Sequence, residues 1–587
     1  MRDFHSVMRR LVRGRDLAAA AAAATIVASG TVLAAIVGVA GRGFDLTDEA
    51  YYVLSMQEPA AYRMTSTLFG YALQPAYLLF GGSIAALRIF GVVVLAALGG
   101  FAVGLILRSR PNAGRPTTQA VLVAAGAALP AMYYGFWLPT PSYNWLVLAA
   151  ALILLPAILL LAERDRGPAL PAALAALAGL IAAMAKPPTA AAYGIIFAGA
   201  VVLLVREPRR IARQLAVAAA FSAAGLAALA LVLPLETVWA QTRGYVEMHG
   251  AAPPAGRGPL GDLTAFLAHP RGWPFAAALV AVGLATRPER RTGGVVWGRA
   301  AAALAIAGAG AGTILAVVFP VYPALGPGMA AVAYAAIALA MVRGADRRLC
   351  LALALATVLP WAAALGSTND LPSQTTFCAG IFGLIALLST RSVRLAPSVT
   401  ALVTLALVLI TGTAIVKGLG KPYRLAAPVW RQTEPVEIGA YGERLSVDRR
   451  TAAFVSPFRE AARQAGFCAG DPVIDLTGEL PGMAVLLGGR TPGLPWLFGG
   501  YVFSEKLATW ALSGVDAQTR ARAWLVVGEG RIAFSAPFIA ELGFAVQDGY
   551  TLVLDGTHSV HGTPVRLYRP RSLPGGPVPC RLEPVAG

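Results

Sequence analysis

Long apolar runs recur along this chain, and nothing constrains its fold more. The first extends from Leu17 to about Val39, and others follow at 84–107, 118–137, 144–162, 168–185, 189–205, 214–235, 274–286, 300–319, 328–342, 350–366, 375–389 and 398–416. A helix needs about 20 apolar residues to cross a bilayer, because each residue advances it only ~1.5 Å. The runs predict about 13 crossings, the shorter ones reaching least far. Charged residues make up 13% of the chain and hydrophobic ones 57%. Soluble domains carry roughly a quarter charged residues, so a soluble enzyme and a disordered chain are both excluded. The first run is too long for a signal-peptide core and is read as a retained span.

Charge orients these spans. The net charge of +18 would suggest nucleic acid in a soluble chain, but no basic patch interleaved with aromatics supports that partner. The positive-inside rule explains the excess. With the N-terminus inside, inner loops hold Arg108, Arg110, Arg115, Arg164, Arg166, Arg206, Arg209, Arg210, Arg213, Arg287, Arg290, Arg291, Arg343, Arg347, Arg348, Arg391 and Arg394. The outer loops hold only Arg42, Arg63, Lys186, Arg243, Arg257 and Arg271 before the last domain. An odd number of crossings then puts everything after Lys417 outside a bacterial-type inner membrane.

Beyond Gly418 the long apolar runs stop. Short segments at 472–476, 523–527 and 550–554 alternate with helix-like stretches at 504–512 and 536–542, the pattern of a small α/β domain. The predicted fold is mainly α: a polytopic helical domain over 1–417 and an extracytoplasmic α/β domain over 418–587. Cys468 and Cys580 are that domain's two cysteines, and an oxidising compartment favours their pairing, although spacing alone does not prove it. Cys350 and Cys378 fall in or beside spans and read as small buried hydrophobes.

Polar chemistry gathers at the outer ends of the spans. Asp45, Asp48 and Glu49 follow the first span and lead into Tyr51 and Tyr52. A carboxylate beside low-dielectric lipid gains basicity and suits a general base. The competing reading makes Thr47 or Asp48 a helix cap and the tyrosines an aromatic belt. Lys186, in a tight outer turn, runs against the positive-inside pattern, and a phosphate partner would account for it. Snorkelling to headgroups would account for it too. Arg88 lies within the second span, where a cation needs a partner or a polar cavity. Tyr143, Asn144 and Asp370 also sit at outer ends, where turn chemistry explains each one singly. A divalent metal has little support, since no His or Cys pair stands at ligand spacing.

Taken together, Asp48-Glu49-Ala50-Tyr51-Tyr52, the apolar stretch 68–80, Ala86-Leu87-Arg88-Ile89-Phe90 and the lysine turn at 186 resemble the C-fold (GT-C) integral membrane glycosyltransferases. That group includes protein O-mannosyltransferases, lipid A aminoarabinose transferases and arabinofuranosyltransferases. The resemblance implies that Asp48 is the base or acceptor-binding carboxylate, with Glu49 supporting it, and that Lys186 contacts the donor phosphate. Asn144 stands where many relatives carry a second acid, which argues against a two-acid or metal-bridged site.

The expected activity is inverting transfer of a sugar from a polyprenyl-phosphate donor to an envelope glycan, lipid or protein acceptor. Asp48 and Glu49 form the catalytic pair, Lys186, Arg63 and Arg88 serve the donor phosphate, and Tyr51, Tyr52, Tyr143, Asn144 and Asp370 contact substrate. A transporter or lipid flippase is the rival reading, and it would place charges near mid-membrane. A non-catalytic scaffold for the C-terminal domain is another, and it leaves the acidic first loop without a role.

Overall fold

The computed structural model describes residues 14–573 apart from 110–115, 164–166, 250–257, 287–293, 368, 393–394, 440–441 and 502. Cys580, and with it the expected pairing with Cys468, lies outside the described residues, as do Arg110, Arg115, Arg164, Arg166, Arg257, Arg287, Arg290, Arg291 and Arg394.

The chain is a mainly helical multi-pass membrane protein with a small α/β region at its C-terminal end. Among the described residues, 10 helices are long and apolar enough to cross a bilayer. They account for most of the runs read from the sequence. The other three runs form shorter helices: Ala169–Ala185, Trp273–Ala285, and Arg347–Ala356 followed by Leu359–Ala362. In the last case the helix breaks just before Pro360, whose missing N–H fits only a helix's first turn.

Two spans form the heart of the bundle, Tyr143–Leu160 and Leu371–Thr390, each with 94% of its apolar window buried. Pro208–Val232 has none of its window buried; one face rests on the Ala169–Ala185 helix and the remainder turns apolar side chains outward, as a peripheral helix facing lipid does. Small residues allow close crossings. A Cβ on Gly312 would lie 2.7 Å from the Gly328 carbonyl oxygen, and one on Gly328 would lie 2.6 Å from that of Gly312.

The last apolar helix ends at Gly420. A hairpin follows, of β1 (Glu434–Ile438) and β2 (Glu443–Val447), then β3 (Val473–Asp475), β4 (Trp524–Gly528), β5 (Tyr550–Thr557) and β6 (Pro564–Pro570). The second sheet runs in the order β3-β4-β6-β5, with only the β3–β4 pair parallel. Three of its strands lie where short apolar runs mark them. The hairpin, β6 and the helix Arg449–Gln464 carry too many charges to show in hydropathy.

This region is built into the first loop. Gly43 N–H donates to Ser446 O at 2.7 Å and Ser446 N–H to Gly41 O at 2.9 Å, so the loop covers the edge of β2. Gly482 N–H donates to Leu46 O and Thr47 Oγ1 to Glu479 O, each at 2.8 Å. Glu443 on β2 accepts from Ser83 Oγ at 2.8 Å, Ile84 N–H at 2.6 Å and Ala85 N–H at 3.0 Å. It thereby caps the positive end of the Ile84–Arg108 span.

Candidate active site at the first loop

The three acids of the first loop divide their work. Asp45 is 3% exposed, and its carboxylate accepts the N–H groups of Thr47 at 3.1 Å, Asp48 at 2.8 Å and Glu49 at 3.2 Å. These are orphan donors at the start of the Asp48–Gln57 helix. Glu49 Oε2 accepts from Asp45 N–H at 3.2 Å, a reciprocal arrangement akin to a capping box. The cap is therefore Asp45, with neither Thr47 nor Asp48 in that role.

Glu49 is consumed by the fold. Arg88 Nη2 reaches its Oε2 at 2.8 Å and Arg88 Nε its Oε1 at 3.0 Å, with side chains only 1% and 2% exposed. Thr140 Oγ1 donates to the same carboxylate. The rest of the guanidinium donates to the carbonyls of Ala40 at 2.6 Å, Gly43 at 2.8 Å and Arg42 at 3.3 Å. Arg88 thus has no donor left for a phosphate, and Glu49 no face left for a substrate. The donor-phosphate role expected of Arg88 and the catalytic role expected of Glu49 give way to a buried ion pair that closes the first loop onto the second span.

Asp48 is the first-loop carboxylate left over. Its side chain is 21% exposed, and Oδ2 faces Arg424 Nη1 at 3.0 Å without forming a well-aligned hydrogen bond. Tyr423 also lies against it. Arg424 has a left-handed backbone, φ +52°, a conformation that costs a non-glycine residue on the order of 1–2 kcal/mol and often marks a site. Burial pushes the Asp48 carboxyl above the usual carboxylate range, with Arg424 and then Tyr423 opposing. Burial and the Asp48 charge raise Asp45 as well, against Arg424 and the Thr47 N–H.

An aromatic wall adjoins Asp48. The Tyr51 ring lies 5.8 Å from Tyr52, 6.0 Å from Phe69, 6.3 Å from Trp496 and 5.8 Å from Phe498. Tyr52 packs edge-on against Tyr143 at 5.8 Å. The Lys186 ammonium sits over the other side of this patch, 5.2 Å from the centre of the Tyr143 ring. It is 3% exposed, donates to Ala363 O at 3.3 Å, and has no carboxylate partner among the described residues. Burial pulls its pKa down to about 8, opposed by Cys378. A buried cation without a counter-ion is costly, and such residues mark functional sites.

The remaining candidates lie elsewhere or are occupied. Arg63 stacks on Trp510 at 4.3 Å and donates from Nη1 to Trp510 O, so it straps the membrane domain to the C-terminal region. Asn144 is buried and accepts from Gln374 Nε2 at 2.9 Å. Asp370 is exposed and caps the helix Leu371–Gln374 through Ser373 N–H at 2.9 Å, which is turn chemistry. Among the described residues, no three His, Cys, Asp or Glu side chains group as metal ligands do. Sequence reasoning passed over Tyr423, Arg424 and Phe498, because nothing local signals that the segment after the last span folds back onto the first loop.

Two crystal structures of ArnT from Cupriavidus metallidurans align with this chain, each at 13% identity and a TM-score of 0.41. The apo structure covers 92% of this chain and 97% of its own, and the structure bound to undecaprenyl phosphate covers 94% and 98%. No protein-family model matches the chain, and no curated protein does.

Proposed function

We propose that this protein is a membrane glycosyltransferase that moves a sugar from a polyprenyl-phosphate donor to an acceptor hydroxyl on the outer face of the membrane. The observation that carries the reading is the division of labour among three neighbouring acids. Asp45 caps a helix and Glu49 holds Arg88, while Asp48 alone stays partly exposed. It stands beside an aromatic patch whose far side holds a buried lysine with no carboxylate partner among the described residues. The first-loop motif's resemblance to GT-C enzymes supports the same assignment.

In this reading Asp48 takes the proton of an acceptor hydroxyl as that oxygen attacks the anomeric carbon. The bond from that carbon to the phosphate oxygen breaks, and its electron pair leaves with the lipid phosphate. The Lys186 ammonium stabilises the departing charge. One displacement inverts the anomeric centre. The half-buried Tyr51 ring offers a face for the sugar, whereas Tyr52 and Trp496 are buried behind it, and Arg424 opposes the upward shift that burial imposes on the Asp48 carboxyl. Glu49 and Arg88 act by positioning. The acids crowd one face rather than the middle of the spans, which favours surface chemistry over transport.

Purified protein incubated with a radiolabelled polyprenyl-phosphate sugar and cell-envelope acceptors should release lipid phosphate. Asp48→Asn should lower turnover by roughly 10²–10⁴-fold, the range for general-base catalysis, with little change in thermal midpoint, because the cap is Asp45. Full activity in Asp48→Asn would remove the mechanism.

A further inference from the structure

The Tyr143–Leu160 helix carries Asn144 at one end and a basic cavity at the other. Its 18 residues span about 27 Å at ~1.5 Å per residue, so the cavity opens on the face opposite Asp48. It encloses about 650 Å³, much more than one phosphate ion fills, and its lining includes Arg206, Arg210, Arg213, Arg348, Glu163 and Gln214.

These cations are not equivalent. Arg348 donates to Leu204 O and so closes the C-terminal end of the Pro187–Val205 helix. Arg210 pairs with Glu207 at 2.9 Å, but the two side chains are 64% and 54% exposed, and such a pair is weak enough for a phosphate to displace. Arg206 and Arg213 are exposed. Arg206 holds a left-handed backbone at φ +59° in the turn between two spans, which is strain at a cation facing a cavity. Gln214, 4% exposed and the buried residue of its helix, donates to Pro168 O at 3.1 Å across the cavity. The Ala169–Ala185 and Pro208–Val232 helices both begin here, adding partial positive charge. Beside these polar groups, Leu170, Val202 and Leu203 are exposed at 39%, 53% and 50%.

We propose that this cavity binds the phosphate headgroup of an anionic phospholipid. Arg206, Arg210 and Arg213 are its phosphate ligands, and its acyl chains lie on Leu170, Val202 and Leu203. The guanidinium fork suits phosphate oxygens. The apolar ground favours a lipid over a free ion, and the volume favours a headgroup with two phosphates. The site is independent of the chemistry at Asp48.

Native mass spectrometry of the full chain, titrated with a diphosphatidylglycerol or with phosphatidylcholine, tests this. The anionic lipid should be retained at least about tenfold more strongly. Arg206→Gln/Arg213→Gln should weaken that retention about 30-fold, the factor for two arginines at about 1 kcal/mol each. Arg209→Gln/Arg347→Gln removes two exposed charges outside the cavity and should cost about threefold or less. Equal losses in the two pairs would overturn the proposal, because they would mean diffuse attraction by the basic face. Where the Gln pair does not fold, Arg213→Gln alone should cost about fivefold, and no change there would overturn it. Inorganic phosphate that displaced no lipid would support the lipid source. Inorganic phosphate that bound as tightly as the lipid, with the same arginine dependence, would overturn it in favour of a free ion.

Discussion

The buried Glu49–Arg88 pair makes a sharp prediction because its two roles, catalytic or structural, have opposite signatures. Both side chains are essentially inaccessible, 2% and 1% exposed. Removing one partner of such a pair strands the other charge at a cost of about 3–5 kcal/mol. Arg88→Met also strips donors from the carbonyls of Ala40 and Gly43, whereas Glu49→Gln keeps the shape and loses only the charge. At ~2.1 cal/mol/K of unfolding entropy per residue, a chain of 587 residues shifts by about 0.8 °C per kcal/mol, so each single variant should melt about 2–4 °C below the parent. The double variant Glu49→Gln/Arg88→Met should lose clearly less than the sum, since the second change removes a charge already unpaired. The assay is thermal unfolding of the detergent-purified chain followed by tryptophan fluorescence, with turnover measured well below the midpoint. Single variants melting within about 1 °C of the parent would refute the reasoning, as would additive losses. A Glu49→Gln protein that melted normally but was inactive would return Glu49 to catalysis.

Three further outcomes follow from the same geometry. Arg424 opposes the upward shift of Asp48, so Arg424→Gln should raise the carboxyl further and move the acid limb of the pH–rate profile to higher pH; an unmoved limb would detach Arg424 from the base. The Lys186 ammonium, its pKa pulled down to about 8, loses charge as pH rises through that value. Donor KM should therefore climb above it in the parent, while Lys186→Met shows a high KM at every pH and a near-normal thermal midpoint. Glu443→Ala should cost about 1–2 kcal/mol by uncapping the Ile84–Arg108 span, seen as a lower midpoint with a wild-type pH profile.

Hydropathy made the spans legible because one apolar stretch, read locally, fixes whether a helix can live in lipid. It served less well where a proline breaks a run, as at Pro360, or where a strand is amphipathic and charged, as in Glu443–Val447. The site was legible as far as a local motif reaches: Asp48, the tyrosines and Lys186 can be singled out by residue type and place. What separates Asp48 from Asp45 and Glu49 is not local, since three carboxylates within five residues look alike until their partners are known. Asp45 is spent on backbone N–H groups, which any short acid before a helix could serve. Glu49 is spent on an arginine in the next span, and the two opposite charges explain each other only once that span is docked. Arg88 needs a counter-charge at membrane depth and Glu49 needs a donor in a dry loop, so each removes the other from the substrate's reach. Asp48 owes its availability to that pairing and finds its counter-ion in Arg424, which returns from beyond the last span in a backbone conformation that no sequence pattern announces. The base is therefore defined by what its neighbours are bound to, and the perturbation that tests it most directly is the one that unbinds them.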